Sequence, residues 1–100
     1  MACLVILGGV ACGRRFDLAE RPVMIGRDQV CAITLADAHV SRRHVQIGYD
    51  GQTDRHFALD VGSTNGVAVN GVRLERGALR LLDHGDLINL GPAQLRYERM

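Results

Sequence analysis

Val67-Ala68-Val69-Asn70-Gly71-Val72-Arg73-Leu74 reads as two short β-forming runs around an Asn-Gly pair. A type I′ turn needs positive φ at both central residues, and Asn followed by Gly supplies it with little steric cost. The octet therefore predicts a tight β-hairpin. The same grammar extends in both directions. Upstream, His44-Val45-Gln46-Ile47-Gly48-Tyr49 alternates with period two and places Val45, Ile47 and Tyr49 on one face. Asp50-Gly51 then turns the chain toward a strand at Phe57-Ala58-Leu59-Asp60. Val23-Met24-Ile25 follows Pro22, which suits a strand start, and Ile33-Thr34-Leu35 is a further short strand. Cys3-Leu4-Val5-Ile6-Leu7 opens the chain as a strand that Gly8-Gly9 ends and Arg14-Arg15-Phe16-Asp17-Leu18 answers. Downstream, Asp83-His84-Gly85-Asp86 turns into Leu87-Ile88-Asn89-Leu90, Gly91-Pro92 interrupts, and Leu95-Arg96-Tyr97 closes the series. Leu79-Arg80-Leu81-Leu82 fits a strand or one helical turn, and the glycines at 77 and 85 leave no room for a long helix. Short strands spaced by about 8–12 residues with glycine turns predict an all-β sandwich or barrel.

Composition narrows the function. The 100 residues suit one small domain over residues 1–100, able to stand as a module of a larger protein. Apolar residues make up 47%, enough for a core, and only 4% are aromatic, so that core is aliphatic. All 12 basic side chains are arginine. With no lysine, Schiff-base chemistry and lysine-dependent nucleotide sites are excluded. A net charge of +1 without charged blocks argues against a general grip on nucleic acid or membrane, leaving room for a local arginine cluster.

Cys3, Cys12 and Cys31 cannot all pair, and none lies in a Cys-x-x-Cys arrangement. They read as free thiols buried as small hydrophobes, which suits a reducing, cytoplasmic setting. No ligand pair has metal-chelating spacing, so neither a metal nor another cofactor is expected. The apolar N-terminal stretch lacks a preceding positive segment and is too short to span a bilayer, so no membrane role is predicted.

Three polar clusters separate the strands: Gly26-Arg27, Ser41-Arg42-Arg43-His44, and Gly62-Ser63-Thr64-Asn65-Gly66. Each alone passes for a turn, a solvated pair or a satisfied histidine. Together they assemble guanidinium groups, hydroxyls, a carboxamide and glycines on loops of a rigid scaffold, a donor set suited to a multiply charged acceptor such as phosphate. Ser41 and His44 raise the question of a hydrolytic pair. Residues three apart on one strand face opposite ways, so such a pair needs an intervening turn, and no acid–base partner completes it. The chain reads as a non-enzyme.

The ordered pattern resembles a known family: Gly26-Arg27, Ser41-x-x-His44, Asp60-x-Gly62-Ser63-Thr64-Asn65-Gly66, Asn70-Gly71 and Gly85-Asp86-x-Ile88-x-Leu90-Gly91. It is similar to the forkhead-associated (FHA) domain. The resemblance implies a β-sandwich of about eleven short strands whose loops at one end bind phosphothreonine in an extended peptide. By position, Arg27 and Ser41 resemble the phosphate-binding arginine and hydroxyl. Arg42 resembles the adjoining phosphate-facing residue, Thr64 lies near the phosphate and the threonine methyl, and Asn65 resembles the amide that holds the ligand main chain. His39 lies where some members read the peptide beyond the phosphothreonine. Gly26, His44, Gly66, Asn70 and Gly71 match architectural positions. The function implied is phosphorylation-dependent protein–protein interaction in signalling, by a monomeric module whose partner is phosphorylated by a Ser/Thr kinase. Two other readings stay open: a phosphate-independent interaction domain of the same fold, and nucleic-acid binding through the arginines.

Overall fold

A computed structural model describes residues 1–9 and 11–99 of the chain. Within them lie eleven strands and no helix. These are β1 (Ala2–Gly8), β2 (Arg15–Leu18), β3 (Val23–Gly26), β4 (Ile33–Thr34), β5 (Val45–Asp50), β6 (Arg55–Asp60), β7 (Ala68–Val69), β8 (Val72–Arg73), β9 (Leu79–Leu81), β10 (Leu87–Leu90) and β11 (Ala93–Arg99). One sheet has the order β2-β1-β11-β10-β7-β8 and the other β4-β3-β5-β6-β9. Among the described residues every pairing is antiparallel except β3 with β4.

The two sheets bury their inward-facing alternate residues against each other, as a sandwich requires. Leu4 and Ile6 of β1, Ile88 and Leu90 of β10, and Leu95 and Tyr97 of β11 are fully buried, as are Ile25, Val45, Ile47 and Ala58 of the other sheet. Tyr97 brings a hydroxyl into this core, and an unpaired one would be costly. Its O–H donates to His56 Nδ1 at 2.8 Å, and His56 Nε2 donates to the Ala19 carbonyl at 2.9 Å.

Asn70 and Gly71 carry φ of 52° and 80°, the double positive φ of a type I′ turn, and β7 pairs with β8 around them. Asn70 does a second job. Its Nδ2 donates to Asp86 Oδ1 at 2.9 Å and its Oδ1 accepts from the Leu87 N–H at 2.9 Å, so the hairpin turn is tied to the start of β10. The segment that fitted either a strand or a helical turn is a strand: Leu79 pairs with Leu59 and Leu81 with Phe57.

One detail differs from the sequence expectation. Cys3 and Cys31 are buried thiols, but Cys12 is exposed, because it sits in the turn between β1 and β2 rather than on a strand. Tyr49, half-buried at the end of β5, bonds Asp54 across the turn into β6.

Strand directions put three loops at one end of the sandwich. β3 runs into residues 27–32, β5 starts after residues 35–44, and β6 runs into residues 61–67. Because β5 is antiparallel to both β3 and β6, these segments converge.

Candidate functional site

Two of the three loops, residues 27–32 and 35–44, are locked together by their own backbone before any side chain is considered. The Arg27 N–H donates to the Ser41 carbonyl at 2.9 Å, Asp28 N–H to the Arg42 carbonyl at 3.1 Å, and His44 N–H to the Ile25 carbonyl at 2.9 Å. This ladder brings residues 41–44 directly over Gly26. A Cβ on Gly26 would lie 2.1 Å from the Arg42 carbonyl oxygen and 2.8 Å from its carbon. Only glycine allows two backbones to approach so closely. The Cys31 thiol adds a 3.2 Å bond to the same Arg42 carbonyl, and burial raises that thiol above its ordinary pKa, so it stays protonated and able to donate.

His44 ties two loops at once. It is fully buried. Its Nδ1 accepts from the Ser41 N–H at 3.0 Å, which leaves the ring proton on Nε2 to donate to the Gly66 carbonyl at 2.7 Å. The neutral ring is thus defined by its partners. The turn that a Ser41–His44 pair would need does exist, but the imidazole meets the serine backbone, and its basic nitrogen is occupied. Ser41 Oγ instead accepts from the Thr64 N–H at 3.0 Å, and Asn65 Nδ2 donates to the His39 carbonyl at 2.7 Å.

What remains unused faces outward. Arg27 is exposed, and Nε donates to the Val40 carbonyl at 3.0 Å; this fixes the guanidinium plane while both terminal amino groups keep their N–H donors free. Ser41 retains its hydroxyl proton, and the Thr64 hydroxyl and the Arg42 side chain have no partner among the described residues. Arg27, Ser41, Arg42, Thr64 and Asn65 are therefore contiguous. His39 adjoins them: its carbonyl bonds Asn65, and a Cβ on Gly91 would lie 3.1 Å from His39 Cβ. The His39 ring is exposed and held at 3.0 Å by Asp37, whose carboxyl lies below its ordinary pKa chiefly through the His39 backbone N–H.

Asp60 is a functional support to which the sequence reading gave no role. Its Oδ1 accepts from the N–H groups of Gly62 and Ser63 at 2.9 and 2.8 Å, and its Oδ2 from the Ser63 hydroxyl at 3.0 Å. Burial pushes its pKa up, but these donors outweigh it and hold the carboxyl below its usual value. Ser63 is consequently spent on the scaffold. An Asp with donors two and three residues later is the signal that could have flagged it.

The FHA domain family profile matches residues 23–91, more than half of the chain. The chain belongs to the FHA domain family. FhaA of Mycobacterium tuberculosis is 39% identical to this FHA domain over 83 residues, 83% of this chain and 15% of that protein. The oxoglutarate dehydrogenase inhibitor of Corynebacterium jeikeium is 37% identical over 96 residues, 96% of this chain and 63% of that protein. The chain thus spans less than two thirds of either relative. A solved FHA domain, studied for phosphothreonine-dependent FHA interactions, is 33% identical, covers 98% of this chain and 97% of its own, and superposes with a TM-score of 0.82. Phosphothreonine binding is the role known for FHA domains.

Two features of this FHA domain bear on other readings. Its aromatic side chains are committed elsewhere: Tyr97 is buried, Phe57 lies across Gly48, Tyr49 bonds Asp54, and Phe16 lies beneath the Arg14 guanidinium at 5.0 Å. Among the described residues no aromatic stacking platform of the kind single-stranded nucleic acid uses accompanies the arginines of the three loops. A cavity of about 170 Å3 does exist, lined by Leu18, Tyr49, Asp54, His56 and Arg99 among others, but at the opposite end from the converging loops. At the loop site Arg27, Arg42, Thr64 and Asn65 are exposed.

Proposed function

We propose that this FHA domain binds phosphothreonine peptides through Arg27, Ser41, Arg42, Thr64 and Asn65, and so mediates phosphorylation-dependent protein–protein interaction in signalling. The observation that carries the reading is the pairing of fixed positions with free donors. Arg27 is pinned through Nε and Ser41 through its acceptor lone pair, while the outward N–H and O–H groups lack internal acceptors. A phosphothreonine brings close to two negative charges and three acceptor oxygens. A planar guanidinium matches these with two parallel bonds, and the Ser41 and Thr64 hydroxyls add neutral donors. Asn65 keeps its carbonyl oxygen and one N–H for the main chain of an extended ligand, an arrangement that needs no chemistry on the phosphate.

The module is read as non-catalytic, because the histidine beside Ser41 has its acceptor nitrogen on a backbone N–H. The phosphate dianion, rather than charge in general, is the recognised group. Residues 1–100 are read as one such module, monomeric and cytoplasmic. The free thiols Cys3, Cys12 and Cys31 support a reducing compartment.

The experiment is a titration followed by amide NMR, with a peptide library carrying one fixed phosphothreonine and degenerate flanks, and with its unphosphorylated twin. Shifts centred on Arg27, Ser41, Arg42, Thr64 and Asn65 for the phosphorylated library alone support the reading. Equal shifts with both libraries favour phosphate-independent binding, and shifts elsewhere refute the site.

A further inference from the structure

Arg73 stands at the edge of the binding loops without a role in holding them. It lies on β8 opposite Ala68, and the chain behind it is fixed by the Leu74 N–H bond to the Val67 carbonyl at 2.8 Å. Its side chain reaches across to Gly66. A Cβ built on Gly66 would lie 2.7 Å from Arg73 Nη2, 2.8 Å from Cζ and 2.9 Å from Nε. Three guanidinium atoms at nearly equal distance mean that the face of the group, not its edge, covers the place a Gly66 Cβ would take, space that only glycine leaves open. Gly66 has φ of +82° and is held from the other side by His44.

A guanidinium stacked by its face leaves every in-plane N–H available, and it has five. Arg55, Arg96 and Arg99 instead form ion pairs with Asp83, Glu98 and Asp54. Arg73 makes no hydrogen bond or ion pair among the described residues. The backbone beneath it continues directly into Asn65, one residue from the glycine it covers.

We propose that Arg73 is a specificity-determining residue that selects a carboxylate side chain in the bound peptide, at a position beyond the phosphothreonine itself. The inference rests on the phosphothreonine reading above, because it needs that peptide to lie along Asn65. Stacking limits the conformational freedom of the side chain, so an incoming Asp or Glu meets a partly ordered partner. The pair forms at an exposed rim, where ion pairs are weak and screened by salt. The expected selectivity is therefore modest, about two- to fivefold.

The probe is the same degenerate library with fixed phosphothreonine, selected on the wild-type domain and on Arg73→Gln. Wild type should enrich Asp or Glu at one flanking position, and Arg73→Gln should lose that enrichment while still preferring the phosphorylated library. A peptide carrying the selected acid and its Asn or Gln twin are then titrated by calorimetry at low and high salt. Wild type should prefer the acidic peptide about two- to fivefold at low salt, with the preference shrinking at high salt. Arg73→Gln should bind the twins equally, and Arg73→Lys should keep part of the preference because the charge survives without the planar fork. A residue that merely covers Gly66 would instead weaken both twins alike. Full acid preference in Arg73→Gln, or none in wild type, overturns the proposal. Failure of both proteins to prefer phosphorylated over unphosphorylated library refutes the underlying phosphothreonine reading and this inference with it, a result distinct from loss of acid selection alone.

Discussion

Gly26→Ala should damage the site although Gly26 brings no side chain to it. The added methyl would start 2.1 Å from the Arg42 carbonyl oxygen and 3.0 Å from Arg43 Cα, both backbone atoms that cannot rotate away. Ordinary contact begins near 3.4 Å, so residues 42–43 must retreat by about 1.3 Å. Overpacking of this kind destabilises by about 1–3 kcal/mol. The retreat also strains the three bonds to Ser41, Arg42 and Ile25 carbonyls, each worth about 0.5–1.5 kcal/mol. Alanine restricts the unfolded chain and recovers about 0.4–1 kcal/mol, which is the smaller effect. A net loss of about 2–5 kcal/mol corresponds to a fall in Tm of roughly 10–30 °C for a domain this size. The same movement displaces Ser41 and Arg27, so phosphopeptide affinity falls as well. Circular dichroism melting and calorimetric titration measure both. Gly51→Ala is the control: its nearest neighbour is a Tyr49 ring carbon at 3.8 Å, and its effect should stay within about 0.5 kcal/mol. A Gly26→Ala domain with wild-type Tm and affinity would refute the reasoning.

Four further outcomes are expected. Arg27→Ala should weaken phosphopeptide binding about tenfold to several hundredfold by calorimetry, from a bidentate contact worth about 1.5–3 kcal/mol, and Arg27→Lys should rescue it poorly. His44→Ala leaves the Ser41 N–H and Gly66 carbonyl unanswered beside a cavity; it should lower stability by about 2–5 kcal/mol in denaturant titration, whereas retained stability with lost affinity would make His44 a ligand contact. Asp60 has a depressed pKa, so its stabilisation is full above the unfolded value near about 4 and is lost as pH falls through the lower folded value; Asp60→Asn should be less stable by about 1–3 kcal/mol at neutral pH in urea melts, and the gap should narrow below about pH 4. Phosphothreonine should bind about five- to thirtyfold tighter than phosphoserine by fluorescence anisotropy, since one buried methyl, its cavity and the stiffer χ1 together give about 1–2 kcal/mol.

The fold was readable because its signals are local. Asn70-Gly71 demands one turn type, and the alternation from Val45 onward demands one face. The pairing of β1 with β11 was not readable, since nothing in Cys3–Leu7 names a partner at the far end of the chain. The segment at Leu79 stayed ambiguous because three or four apolar residues satisfy both periods, and pairing with β6 decided it. In the site, residue types marked the clusters of Arg27, Ser41 and Asn65 as a donor set, and the resemblance to FHA domains gave each its role. The reason for Gly26 was hidden, because it depends on a backbone crossing sixteen residues later. Asp60 and Arg73 were hidden for the same kind of reason: an acceptor for two loop amides and a guanidinium lying on a glycine are properties of contact. Cys12 was misplaced because a small apolar residue in a turn has the same composition signal as one in a core.

The central claim is that this FHA domain recognises a phosphothreonine dianion through a pinned Arg27. One peptide drawn from the phosphothreonine library, synthesised with and without its phosphate, tests it by calorimetry on wild type and Arg27→Ala. The account predicts that removing the phosphate and removing the guanidinium each abolish most of the affinity, and that the two losses do not add, because they delete the same contact. Equal binding of the two peptides by wild type, or a phosphate preference that survives intact in Arg27→Ala, would contradict it.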